Sequence, residues 1–147
     1  DSSTSRGLGD VYKRQSELLP GISKLIEDSK QSGFKIALGS ASKNAILILE
    51  KVNLINSFDE IVDGTIVSLS KPSPEVFLRG AKLLKLLPEQ CLVFEDAQSG
   101  VFAAKNAGMK CIAVGNTVNL EGADVVVESL KEISDIKSFI SEYIIEE

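Results

Sequence analysis

Three short stretches hold the residues with chemistry to offer, two of them ending an apolar strand and one in the loop after Glu60-Ile61-Val62. The first is Gly39-Ser40-Ala41-Ser42-Lys43-Asn44. Where a strand turns straight into a helix, the free amides of the first turn and the Ser40 and Ser42 hydroxyls make an anion site. The Lys43 charge and the Asn44 amide would add to it; the plain alternative is an ordinary serine cap. The second stretch is Lys71-Pro72-Ser73-Pro74-Glu75. Its two prolines stiffen the approach to a helix, so Lys71 can be held as a point charge against a phosphoryl oxygen, where the alternative is a solvated surface lysine. The third is Phe94-Glu95-Asp96. Adjacent carboxylates at the end of an apolar strand need a cation, and hard oxygen ligands suit Mg2+. Otherwise Asp96 caps the following helix and Glu95 is solvated. Asp63-Gly64-Thr65 imitates the end of an Asp-x-Asp-Gly-Thr nucleophile motif, but Ile61 stands where the first carboxylate belongs, and a turn is the better reading.

Composition narrows the chemistry further. The 147 residues include no histidine, which excludes Ser-His-Asp and Cys-His catalysis and every His-ligated metal site. Sixteen Lys and Arg against twenty-one Asp and Glu leave a net charge of −5, the wrong sign for non-specific nucleic-acid binding. The hydrophobic share of 44% provides for a packed core. Cys91 and Cys111, both in apolar runs, are expected to be buried and reduced, which suits a cytoplasmic protein. The longest unbroken apolar run, Ala45 to Leu49, is far short of the roughly 20 residues of a membrane span, so no membrane partner is expected.

The elements that must position these residues alternate between helix and strand. A helix opens at Pro20 and ends at Gly33, and a strand covers 34–39. Ser42 can cap a second helix running to about Val52, followed by a strand at 60–63. Ser73 and Pro74 start a helix through about Leu87; a strand covers 91–95; Ala97 to Ala107 is a helix closed by Gly108. Strands at 110–114 and 124–127 follow, and Ser129 with Glu132 forms a capping box near a last helix bearing Ile136, Phe139, Ile140 and Tyr143. Uniformly apolar strands separated by helices indicate an α/β fold, a Rossmann-like parallel sheet with helices on both faces. Ligands of such sheets sit beyond the carboxyl ends of the strands, where the three stretches lie. Residues 1–15, rich in Ser and Gly and without apolar periodicity, read as a non-native or disordered tail ahead of a single domain over 16–147.

From Leu19-Pro20-Gly21 to about Val127 the chain resembles the haloacid-dehalogenase-like phosphotransferases. The matching text is Leu19-Pro20-Gly21, Ser40-Ala41-Ser42-Lys43-Asn44, Lys71-Pro72-Ser73-Pro74-Glu75-Val76-Phe77, Phe94-Glu95-Asp96-Ala97, Ala107-Gly108-Met109 and Gly122-Ala123-Asp124. The resemblance implies a Mg2+-dependent enzyme in which Ser40, Ala41 and Lys71 hold the transferring phosphate and Glu95 and Asp96 serve the metal. Ser42, Lys43 and Asn44 would hold the second phosphate of a bisphosphorylated sugar. The pattern leans toward a mutase interconverting β-glucose 1-phosphate and glucose 6-phosphate through an aspartyl-phosphate, a monomer when full-length. A small-metabolite phosphatase of the same superfamily, or a non-catalytic interaction module retaining the fold, are the competing readings. The superfamily's Asp-x-Asp strand belongs at the N-terminus and is followed by a helical cap. Neither Asp1 nor Asp10 has that context, so the chain looks like an incomplete core without nucleophile or cap, inactive alone.

Overall fold

The structure, a computed structural model, describes residues 21–40, 55–115 and 120–144. The opening segment and the expected helix after Ser42 lie outside the described residues. Helix α1 (Ile22–Gln31) buries Leu25 and Ile26 along one face, and the Ser29 hydroxyl bonds back to the Leu25 carbonyl at 2.7 Å. Strand β1 (Ala37–Gly39) is half the expected length because its partner β2 (Glu60–Val62) has only three residues to pair. Just before the ladder, Asp59 takes over: its carboxylate accepts the Ile36 amide at 2.7 Å and its own amide donates to the Ile36 carbonyl at 2.7 Å. At the other end β2 stops in the expected turn, where Asp63 Oδ1 accepts the Thr65 amide at 2.9 Å.

Helix α2 (Glu75–Leu84) begins one residue after Pro74, and the Ser73 hydroxyl accepts the Glu75 amide at 3.3 Å. It ends before the expected Leu87 because Lys85 turns into the left-handed region at φ 62°. Strand β3 (Leu92–Glu95), helix α3 (Gln98–Asn106), strand β4 (Lys110–Val114) and strand β5 (Val125–Val127) follow at nearly the expected places. The Ser129–Glu132 capping box forms, with Glu132 accepting the Ser129 amide at 3.0 Å, but it starts a short 3-10 turn. The last helix, α4 (Ile136–Ser141), is capped by Asp135, which accepts the Ser138 amide at 3.2 Å.

Every pairing among the described residues is parallel, as expected. Among the described residues the strands form two sheets, β1–β2 and β3–β4–β5. Strand β4 shows why the sheet is a buried layer. Cys111 and Ala113 pack with Val93, Val101 and Ala104 on the α3 side, while Ile112 and Val114 pack with Leu25, Val127 and Ile136 on the α1 and α4 side. Alternate residues of one strand thus feed two cores, and truncating the fully buried Ile112 to alanine would cost about 2–5 kcal/mol. Asp124 completes the first rung between β4 and β5, its carboxylate accepting the Cys111 amide and its amide donating to the Cys111 carbonyl, both at 2.8 Å.

Candidate active site

Among the described residues, and apart from Ser29, the buried polar and charged residues gather at the carboxyl ends of strands: Ser40 after β1, Asp63 after β2, Glu95 closing β3, and Lys71 in the loop beyond β2. Burying such groups is costly unless each finds a partner, so their collection at one end of the fold marks a place maintained against stability. Ser40 is fully buried, and its amide extends the β1–β2 ladder by donating to the Val62 carbonyl at 2.8 Å.

Lys71 and Glu95 form the centre. Lys71 Nζ donates to Glu95 Oε2 at 2.8 Å, and the two side chains are 2% and 0% exposed. The other carboxylate oxygen accepts the Asp96 amide at 3.0 Å and the Ala97 amide at 3.3 Å. Lys71 Nζ also lies 4.8 Å from the centroid of the Phe77 ring, whose negative face favours a cation. Burial pushes the Glu95 carboxyl above its ordinary range, opposed by the Lys71 charge and by the hydrogen bonds from Lys71 and the Asp96 amide. Neither plain alternative holds: Lys71 is not a solvated surface lysine, and Glu95 is not solvated. Asp96 does not cap α3 either, since the N-cap is Ala97 without a side-chain hydrogen bond.

The loop that delivers Lys71 is tied down by Glu75, to which the sequence alone assigns no role, and by Asn106. Glu75 Oε1 gathers the Ser68 and Leu69 amides at 2.8 and 2.6 Å, and Asn106 of α3 donates to the Pro72 carbonyl at 3.3 Å. The available signal was an acidic residue in the first turn of a helix, where free amides and the helix dipole favour it. Ala41, Ser42, Lys43 and Asn44 lie outside the described residues.

The donor set bears on Mg2+. Asp96 is a half-buried carboxylate and Glu95 a buried one, both hard oxygen donors. Among the described residues no group of three or more His, Cys, Asp or Glu gathers around a common point. The pair therefore fits part of a Mg2+ shell, not a whole one. Cys111, in β4, is pushed up to about 12 by burial first and then by Glu95 and Asp124, so it stays a thiol. Cys91, expected to be buried, is half-buried, with its thiol 3.5 Å from the Leu87 carbonyl.

Parallel strands covered by helices on both faces, with polar residues gathered at their carboxyl ends, define a Rossmann-like α/β fold. The sequence matches the haloacid dehalogenase-like hydrolase family model over residues 7–114, and the chain belongs to that family. It is 40% identical over 118 residues to β-phosphoglucomutase of Bacillus subtilis, covering 80% of this chain and 52% of that protein. A β-phosphoglucomutase structure from Clostridium difficile matches with a TM-score of 0.79 at 40% identity, covering 87% of this chain and 56% of that one. The phosphorylated carbohydrates phosphatase of Thermotoga maritima is 36% identical over 132 residues, covering 82% of this chain and 61% of that protein. The chain spans about half the length of the curated relatives it matches first. No helix among the described residues is long and apolar enough to cross a membrane.

Proposed function

We propose that this chain supplies the phosphate-holding and cation-holding half of a sugar-phosphate mutase active site acting on β-glucose 1-phosphate. The observation that carries the reading is the buried Lys71–Glu95 pair at the strand ends, joined to the 40% identity with β-phosphoglucomutase. Phosphoryl transfer depends mostly on positioning and charge neutralisation. Lys71 would set its ammonium against the non-bridging oxygens of the moving phosphoryl group, with Ser40 and the Ala41 amide beside it. Ser42, Lys43 and Asn44 would receive the second phosphate of the bisphosphate intermediate. Asp96 and Glu95 would hold Mg2+, which when bound supplies further positive charge to the phosphoryl oxygens. The aspartyl nucleophile, the acid–base aspartate and the cap would come from a part of the protein outside this sequence. The second reading, a sugar-phosphate phosphatase, draws support from the likeness to the Thermotoga phosphatase.

The test follows the Lys71 ammonium by 15N NMR while Mg2+ and inorganic phosphate are added. Phosphate with Mg2+ should shift the Lys71 Nζ signal, with Mg2+ bound weakly, in the millimolar range or about −4 kcal/mol. Asp96→Asn should abolish the Mg2+ dependence. A Lys71 signal indifferent to phosphate and Mg2+ at tens of millimolar would remove the reading.

A further inference from the structure

Gly100 lies in the first turn and a half of α3, an otherwise well-formed helix in which glycine is the poorest ordinary choice. It is buried, and a Cβ built there would stand 2.0 Å from both Cδ and Oε2 of Glu95 and 2.2 Å from its Cγ. Real Cβ atoms essentially never come that close, so carboxylate and methyl cannot share the place. The oxygen that would be struck is the one bonded to Lys71 Nζ at 2.8 Å. A long exposed side chain could swing aside at small cost. The Glu95 side chain is 0% exposed and engaged by Lys71, Asp96 and Ala97, so moving it breaks those bonds.

We propose that Gly100 is a positioning residue of the site: its bare Cα is the seat on which the Glu95 carboxylate rests, and a side chain there unseats Glu95 from Lys71. Its functional weight rests on the phosphoryl reading above, whereas the seating itself does not. Sequence alone marks the position only weakly, as a glycine inside an Ala-rich helix. The structure adds the occupant: the carboxylate of Glu95, five residues earlier in the chain.

The test is a stability cycle on the full chain, read with amide and side-chain NMR. In the wild-type background Gly100→Ala should lower the folded-to-unfolded ratio, move the Asp96 and Ala97 amide signals toward unbonded values, and weaken any Mg2+ response of Lys71 about tenfold or more. In a Lys71→Met/Glu95→Ala background the carboxylate is gone and no unpaired ammonium remains. There Gly100→Ala should raise the folded-to-unfolded ratio roughly two- to fivefold, the ordinary gain of alanine over glycine inside a helix. A change of the same sign in both backgrounds, or unmoved Asp96 and Ala97 amides, overturns the proposal. Should Gly100→Ala alone fail to fold, recovery in the second background supports the seat and continued unfolding overturns it. Failure of the phosphate titration with an intact sign reversal would remove the phosphoryl reading and leave the seat standing.

Discussion

Replacing Lys71 by methionine keeps most of the side-chain volume and removes the charge, leaving Glu95 fully buried without its cation. Breaking a buried pair from one side costs about 3–5 kcal/mol. Glu95 keeps the Asp96 and Ala97 amides as donors, so the lower end, about 3 kcal/mol, is expected. For a chain of this size that is about 10 °C in melting temperature. The loss should shrink on acidification. In the variant the carboxyl is raised further above its unfolded value, so the folded state binds the proton more tightly than the unfolded state. Stability then rises as pH falls through the folded value toward the ordinary carboxylate range near 4.3. Adding Glu95→Gln to Lys71→Met should recover most of the loss, because the buried charge is gone and a side-chain oxygen still accepts the two amides. Urea titrations of the three proteins (wild type, Lys71→Met and the double variant) at pH 7 and pH 5 read all of this. A loss under about 1 kcal/mol, the value of a solvent-exposed pair, or a loss indifferent to pH, would refute the argument that Lys71 and Glu95 neutralise one another out of water.

Three further outcomes follow from neighbouring geometry. Burial works to raise the Asp124 carboxyl, but hydrogen bonds from Lys105 and the Cys111 amide, with the Lys105 and Lys110 charges, hold it below its ordinary value. Its contribution is therefore present above the unfolded carboxylate range and lost as pH falls through the depressed folded value. Asp124→Ala should cost about 1–3 kcal/mol at pH 7 by leaving the Cys111 amide unpaired. Asp124→Asn, which keeps an acceptor, should cost less, and its difference from wild type should close in strong acid on an acid-unfolding curve. Glu75→Ala frees the Ser68 and Leu69 amides, so hydrogen exchange at those two positions should accelerate at least tenfold while α3 amides stay protected. The Cys111 thiol, pushed up to about 12 and fully buried, should react with a disulfide reagent at neutral pH only as fast as the chain unfolds, and rapid labelling of the native protein would contradict its placement.

The order of elements was legible because each strand is an apolar run bounded by helix start and stop signals; β4 falls where the sequence places it, at 110–114. Strand β1 was overestimated because the pairing of Phe34 to Ile36 depends on a partner, and the residues ahead of Glu60 that would supply it form a 3-10 turn at Ile55–Ser57 and the Asp59 contacts to Ile36. Lys71, Glu95 and Asp96 stood out as residues worth attention. What sequence could not give was that Lys71 and Glu95, 24 positions apart, pair with each other, since that follows from how the loop after β2 crosses toward β3. Asn106 was illegible for the same reason, since it acts through the Pro72 carbonyl 34 positions away, whereas Glu75 and Gly100 carried weak signals of their own, an acidic residue in the first turn of a helix and a glycine inside one, without the contacts they make.

The central claim, that Lys71 and the Glu95–Asp96 pair belong to a phosphoryl-transfer site, is tested most directly by turnover in a completed protein. Replacing residues 1–15 with the N-terminal Asp-x-Asp strand and cap of the Bacillus subtilis β-phosphoglucomutase should give a chimera that converts β-glucose 1-phosphate to glucose 6-phosphate, whereas the chain alone should not. In the chimera Lys71→Ala should lower turnover about 100–1,000-fold, or roughly 2.7–4 kcal/mol, as removal of other transition-state charge stabilisers does. A chimera that is folded and active but indifferent to Lys71 would contradict the account.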